Sequence, residues 1–199
     1  MVAESAPLNR RERAAVTISA VIPDIDGIGY VTERLTLEST NRLSWYTDYH
    51  HEIAHNLLFG VVLAGCCYVI SRYSTCEKAT ESGRDFGKRP WLTMLLSLVA
   101  FHTHILGDVA GSQGPDGSQW AIPYLLPFSE WKWTWSGQWE LNAWPNIAIT
   151  VVALLTTFYL AAKRGYSPLE MISKRADRSL VQTLRQRFTD LLRRMNLEP

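Results

Sequence analysis

The five histidines of this 199-residue chain fall in two short clusters, Tyr49-His50-His51-Glu52-Ile53-Ala54-His55 and Phe101-His102-Thr103-His104-Ile105-Leu106-Gly107-Asp108. Imidazole and carboxylate are the usual ligands of zinc, manganese and iron, so the pattern points to a divalent metal site, zinc first and manganese or iron as alternatives. His51 and His55 are four residues apart, as are His104 and Asp108; on a helix that spacing sets both side chains on one face, within reach of a common ion. Asp24 and Asp26 add two oxygen donors from Pro23-Asp24-Ile25-Asp26-Gly27, where proline and glycine force a turn that exposes both carboxylates. Six or seven candidate ligands are too many for one catalytic zinc and suit two ions.

Each motif alone has a plainer explanation, since a buried histidine is commonly a hydrogen-bonded core residue and Asp-x-Asp before glycine is commonly a turn. Their combination favours metal, because burying so many ionisable groups without a partner is costly. His102 lies off the His104/Asp108 face and takes a supporting place. His50 and His51 cannot both share a helical face with His55: helical spacing favours His51, whereas a ligand just before a helix favours His50. For catalysis the acids beside the ligands, Glu52 and Asp108, are the candidates, Glu52 as a general base. An exposed acid is the structural alternative for Glu52.

The elements that must position these residues are mainly helical. Ala14 to Ile22 reads as a short strand or helix leading into the aspartate turn. From His51 to Ile70 the chain is almost uniformly apolar and lacks proline, which predicts a helix, and Trp91 to Val109 predicts a second. Ser71 to Pro90 is a polar loop containing Arg72, Lys78, Arg84, Lys88 and Arg89. The first histidine cluster begins one helix and the second ends the next, so an antiparallel hairpin brings them to the same end. Six of the eight tryptophans lie between Trp120 and Trp144, and Trp131, Trp133 and Trp135 alternate with polar residues as in a strand. Ile147 to Ala162 predicts a third apolar helix. Leu180, Leu184, Phe188, Leu191 and Met195 recur at helical spacing, giving an amphipathic tail helix with arginines on its other face. The expected fold is all-α: a compact bundle of mainly apolar helices over 1–165, a Trp-rich irregular segment within it, and a basic amphipathic helix over 166–199.

Composition narrows the class. At 47% hydrophobic and 20% charged residues the chain is neither disordered nor repetitive, and its length suits one domain. The net charge of +1 conceals an asymmetry: residues 163 to 199 hold nine Lys/Arg against four Asp/Glu, leaving eleven against fifteen in the rest. Three cysteines form no secreted framework, and Cys66 and Cys67, adjacent in an apolar run, read as small buried hydrophobes. The polar, basic start and the short apolar stretch before Pro23 disfavour a signal peptide. The apolar helices approach the ~20 residues that cross a bilayer, and were they to span, the basic loop 71–90 and the tail would share a side, as the positive-inside rule requires. A mean hydropathy of −0.07 fits a compact soluble domain better than a multi-span protein. Inner-membrane or membrane-associated and cytoplasmic placements therefore both stay open at this point.

Taken in order, Pro23-Asp24-Ile25-Asp26, His50 and His55 before an apolar helix, His104-x-x-x-Asp108, a glycine loop and Ile122-Pro123-Tyr124-Leu125-Leu126-Pro127-Phe128 resemble the YdjM-like inner-membrane metal-dependent hydrolases. The resemblance covers about residues 15 to 130. It implies Asp24, Asp26, His50, His55, His104 and Asp108 as metal ligands, with His50 preferred over His51. The chain departs from the family pattern in having His51-Glu52 where Arg-Gly is usual, and Ala54-His55-Asn56 where Thr-His-Ser is usual. The family is similar to the zinc-dependent phospholipases C and single-strand nucleases, which implies hydrolysis of a phosphoester, lipid-like or nucleotide-like, by metal-activated water. A non-catalytic membrane protein with a structural metal site is the rival expectation. The membrane is an expected partner, specific nucleic-acid binding is not expected, and oligomeric state is unspecified.

Overall fold

The computed structural model describes residues 2–4, 6–73, 88–114 and 116–194. Their regular structure is helical: α1 Arg10–Ser19, α2 Ile28–Leu35, α3 Trp45–Tyr49, α4 Leu57–Tyr73, α5 Pro90–Gly111, α6 Trp144–Arg164 and α7 Lys174–Arg194, with short 3-10 turns at Val2–Glu4, Ile22–Gly27 and Pro168–Met171. Among the described residues the β pairing is confined to two isolated bridges, Gln113 with Glu140 and Ile122 with Trp133. The all-α expectation holds. The strand-like tryptophan alternation resolves into one such bridge, in which Trp133 and Ile122 exchange N–H···O bonds of 2.8 and 2.7 Å.

Local chemistry explains the helix ends. Asn9 starts α1 through a capping box: its side chain accepts from the Glu12 amide, and the Glu12 carboxylate accepts from the Asn9 amide. The apolar stretch from Ala14 is thus the second half of a helix whose start is polar. Prolines stand in the first turns of α5 and α6, where a missing N–H costs nothing. Gly165, at φ 85°, closes α6 in the left-handed conformation. The predicted helix from His51 instead begins at Leu57 and runs to Tyr73, so the first histidine cluster lies in the turn leading into α4. Of the polar loop 71–90, its first residues continue α4, while 74–87, with Lys78 and Arg84, lie outside the described residues.

α4 and α5 form the central antiparallel hairpin. Gly60 lets them approach so closely that a Cβ there would sit 2.6 Å from the Phe101 ring. Phe101, Ile105, Val109 and Ile122 are buried together, with Phe59, Leu63, Tyr124 and Trp133 packed around them. α1 lies across the hairpin: Val16 and Leu8 pack with Ala100, and Ser19 meets Cys67 at 3.4 Å. Cys67 is buried as expected, but Cys66 is exposed. At the opposite end from the histidine turn, Glu12 accepts from the Ser71 hydroxyl and the Arg89 amide, and Arg13 forms a buried pair with Glu170 at 2.7 Å. The tail helix begins at Lys174; Val181 is buried and Leu180 and Leu184 are half-buried, whereas the Leu191 side chain and Met195 lie outside the described residues.

α5 and α6 are long and apolar enough to cross a membrane, and the bent pair of α1 with residues 22–35 makes a third candidate; α4 is apolar but shorter, at 17 residues. α6 is scarcely buried by the rest of the chain.

Gly60→Val should place two methyls against the Phe101 ring and overpack the hairpin, lowering stability by about 1–3 kcal/mol. Thermal unfolding in detergent micelles reads this as a reduced Tm, and an unchanged Tm would contradict the close α4–α5 approach.

Candidate metal centre

Three separate stretches deliver the donors: the 3-10 turn holding Asp24 and Asp26, the turn before α4 holding His50, His51 and His55, and the last two turns of α5 holding His104 and Asp108. His55 is fully buried. Its Nε2 lies 3.4 Å from Asp108 Oδ2, 3.7 Å from Asp24 Oδ1 and 3.4 Å from His104 Nε2. His104 Nε2 is in turn 3.1 Å from Asp108 Oδ2 and 3.3 Å from Asp24 Oδ1. An ion with bonds of about 2.0–2.1 Å holds tetrahedral ligands roughly 3.3–3.4 Å apart, which the His55–His104–Asp108 separations match and the Asp24–His55–His104 separations approach. Asp108 Oδ2 is buried and has no hydrogen-bond partner among the described residues, which is the signature of an acceptor aimed at something else.

The remaining predicted ligands take other places. Asp26 Oδ1 bonds His50 Nδ1 at 2.7 Å, while its Oδ2 accepts from the His51 amide at 3.3 Å and stands 3.5 Å from His55 Nδ1. A carboxylate behind the distal nitrogen of a ligating histidine fixes ring orientation and raises basicity. Asp26 therefore supports His55, and His50 supports Asp26 while stacking on Tyr46 at 4.4 Å. His51 is buried, its ring 4.4 Å from that of His55, and it groups with His55 and Asp108 as a second set of three donors. His51 does not reach this position by helical spacing: it sits in a turn, at φ 70°, a strained value for a residue other than glycine. Both donor sets, Asp24/His55/His104 and His51/His55/Asp108, draw on His55.

His102 faces away, with Nδ1 donating to the Leu98 carbonyl at 2.8 Å and Nε2 meeting the Tyr124 hydroxyl at 2.7 Å. Glu52 is directed at Lys132, 3.5 Å away, and is not among the grouped donors. Several partners had no signal in the sequence. Trp120 packs edge-on against the His50 and His51 rings at 5.3 and 5.0 Å. Buried Gln138 accepts from the Trp120 amide and donates to the Asp108 and Val109 carbonyls, tying the Trp-rich segment to the end of α5.

The family model described as YdjM inner membrane protein matches residues 2–174. This chain belongs to that family. Comparison with curated proteins and with solved structures finds no match, so the kinship with zinc phospholipases C and nucleases rests on the resemblance alone. As a YdjM-family protein the chain is placed in the inner membrane, with apolar helices able to span it. That decides between the two placements its hydropathy left open.

In the turn outside the apolar helices, burial disfavours charge on both buried histidines, with different outcomes. For His55 the carboxylates of Asp108, Asp24 and Asp26 outweigh burial and raise it to about 10. Burial, reinforced by the His55 and His50 rings, lowers His51 to about 4. In the metal-free protein the His55 contribution to stability is complete below the ordinary value of 6.5 and is lost as pH rises through about 10; that of His51 is complete above 6.5 and is lost as pH falls towards 4. An ion taken up at pH 7 must displace the His55 proton, so uptake should release at least one proton per ion. Calorimetry in buffers of differing ionisation enthalpy measures this, and zero release would remove His55 from the ligand set. Asp26→Asn should weaken metal affinity by roughly 10- to 100-fold while leaving the fold intact; competition with a chelator of known affinity checks it.

Proposed function

We propose that this YdjM-family protein is a metal-dependent hydrolase that cleaves a phosphoester, with one zinc-like ion per chain held by Asp24, His55, His104 and Asp108. The observation that carries the reading is the convergence of these four residues from three segments around His55 Nε2 and His104 Nε2, with Asp108 Oδ2 buried and without a hydrogen-bond partner among the described residues. One ion is favoured over the two expected from ligand number, because both donor sets share His55 and because Asp26 and His50 are engaged with each other.

The openness of the centre supports catalysis over a purely structural site. Structural zinc sites are closed by protein ligands, whereas catalytic sites keep an accessible position. Here the His55 side chain is 0% exposed but that of Asp24 is 54% exposed, so one wall of the centre borders the surroundings. A divalent ion bound there supplies Lewis acidity and activates water near neutral pH. Hydrolysis adds water across a P–O bond and frees an alcohol, with no redox partner. The chain's own residues hold and orient the centre: Asp26 and His50 fix His55, and Trp120 with Gln138 closes the side next to His51. Of the two acidic candidates from the sequence, Asp108 lies in the centre and is the one proposed to act there, whereas Glu52 pairs with Lys132 outside it.

Elemental analysis of the purified wild type beside His104→Ala/Asp108→Ala tests the reading, with circular dichroism on both. About one equivalent of zinc, manganese or iron should be present in the wild type and lost in a still-helical variant, and hydrolysis of a chromogenic phosphodiester should fall on the order of 100-fold or more. A metal-free wild type would sink the proposal. Metal without hydrolysis, together with unfolding on chelation, would instead establish a structural site.

A further inference from the structure

Among the described residues, the helix that follows the aspartate turn has no protein partner on one face. α2 packs on α3 through Gly29, where a Cβ would come within 2.9 Å of the Tyr46 amide nitrogen, and through Tyr30, whose ring meets that of Tyr46 edge-on at 5.5 Å. Glu33, on the same side, accepts from the Thr47 amide and hydroxyl at 3.1 and 2.9 Å. On the opposite side Ile28, Val31 and Leu35 share a face by their spacing and are 59%, 54% and 80% exposed. Ile25, in the turn between the two aspartates, is exposed as well. A contiguous apolar face beside a functional site marks a contact surface, and in an inner-membrane protein the occupant continuous with the spanning helices is lipid.

The level of this face in the bilayer follows from α5. Its 22 residues extend about 33 Å, close to the ~30 Å hydrocarbon thickness. His104 and Asp108 lie within the last two turns before Gly111, so the centre sits where hydrocarbon gives way to headgroups. Exposed Trp131, Trp135 and Trp144 occupy the same end, as indole does at membrane interfaces. The chain bends by 57° between α1 and residues 22–35, turning α2 out of the direction of α1.

Charge gives the side. Arg10, Arg11, Arg72, Lys88, Lys163 and Arg164 stand at the far ends of the helices, whereas the segments at the centre's end, 20–56 and 112–143, contain only Arg34, Arg42 and Lys132. By the positive-inside rule the basic end faces the cytoplasm.

We propose that α2 lies in the headgroup boundary of the leaflet facing away from the cytoplasm, and that it brings the metal centre to the phosphate groups of lipids in that leaflet. The substrate clause rests on the metal-hydrolase reading; the placement does not. The most exposed of the four proposed ligands, Asp24, lies in the turn immediately before α2, so the open side of the centre adjoins the lipid-facing helix. Water added across a P–O bond of such a lipid frees the headgroup alcohol or its phosphorylated form.

The full chain in nanodiscs, with Cys66, Cys67 and Cys76 replaced by alanine, provides the test. Bimane on Leu35→Cys should be quenched several-fold by acyl-brominated phospholipids, and bimane on Asp116→Cys should not. In intact cells an impermeant maleimide should label Asp116→Cys but not Arg178→Cys. Unquenched Leu35, or reversed labelling, overturns the placement. For the substrate, Ile28→Ser/Val31→Ser/Leu35→Ser should retain bound zinc and hydrolysis of soluble bis(p-nitrophenyl) phosphate, while hydrolysis of phosphatidylglycerol in the same nanodiscs falls about tenfold. Undiminished lipid hydrolysis in that variant, or cleavage of the soluble ester alone by wild type, overturns the lipid clause. Cleavage of neither by zinc-loaded wild type refutes the hydrolase reading and its substrate clause together, and leaves the quenching result to decide the position of α2.

Discussion

A fully buried imidazole surrounded by carboxylates is the constraint on which this structure turns. His55 has Asp24 and Asp108 near Nε2 and Asp26 near Nδ1. Three acids drawn together are unfavourable unless a positive charge joins them, because a buried charge without a partner costs several kcal/mol. In the metal-free protein the proton on His55 supplies that charge. A divalent ion held at the same place would supply it more fully.

The fold meets this constraint by dividing the faces of one helix. Along α5, Phe101, Ile105 and Val109 form the buried ridge against α4, while His104 and Asp108 lie on the neighbouring strip. Packing of the ridge fixes the rotation of the helix, and the rotation aims the ligands. Gly60 sets the distance between α4 and α5, and α1, anchored by Glu12 to the ends of both, carries the aspartate turn back across the hairpin to the histidines.

Much of this was legible in the sequence, for identifiable reasons. The His104/Asp108 pair was readable because α5 is a regular helix and i,i+4 spacing has one meaning there. The His51/His55 pair was named for the wrong reason: the turn before α4, not a helical face, brings the rings together by a strained backbone at His51, which no periodicity reports. Asp24 and Asp26 looked equivalent, yet two residues apart on a 3-10 turn they point to different roles, one at Nε2 of His55 and the other at Nδ1. The start of α1 was hidden by its polar first turn, although the Asn9–Glu12 capping box was present. Trp120 and Gln138 reach the site by long-range packing of an irregular segment, which has no local pattern to read.

Whole-chain hydropathy concealed the membrane because it averages two populations. The basic tail and the acidic, polar segments at the centre's end offset α4, α5 and α6, giving −0.07 for a chain whose sixth helix exposes Ile147, Val152, Leu155 and Tyr159, with almost nothing among the described residues covering them. In water that surface would be an aggregation liability; in lipid it is the ordinary exterior of a span. The same division explains why ionisable groups are tolerated so near an apolar bundle. They gather at the helix ends and in adjoining turns, where hydration and the second carboxylate shell reduce the penalty that the bilayer centre would impose. Apolar exterior, segregated charge and an acid–histidine cluster at the helix ends are thus consequences of one solvent boundary.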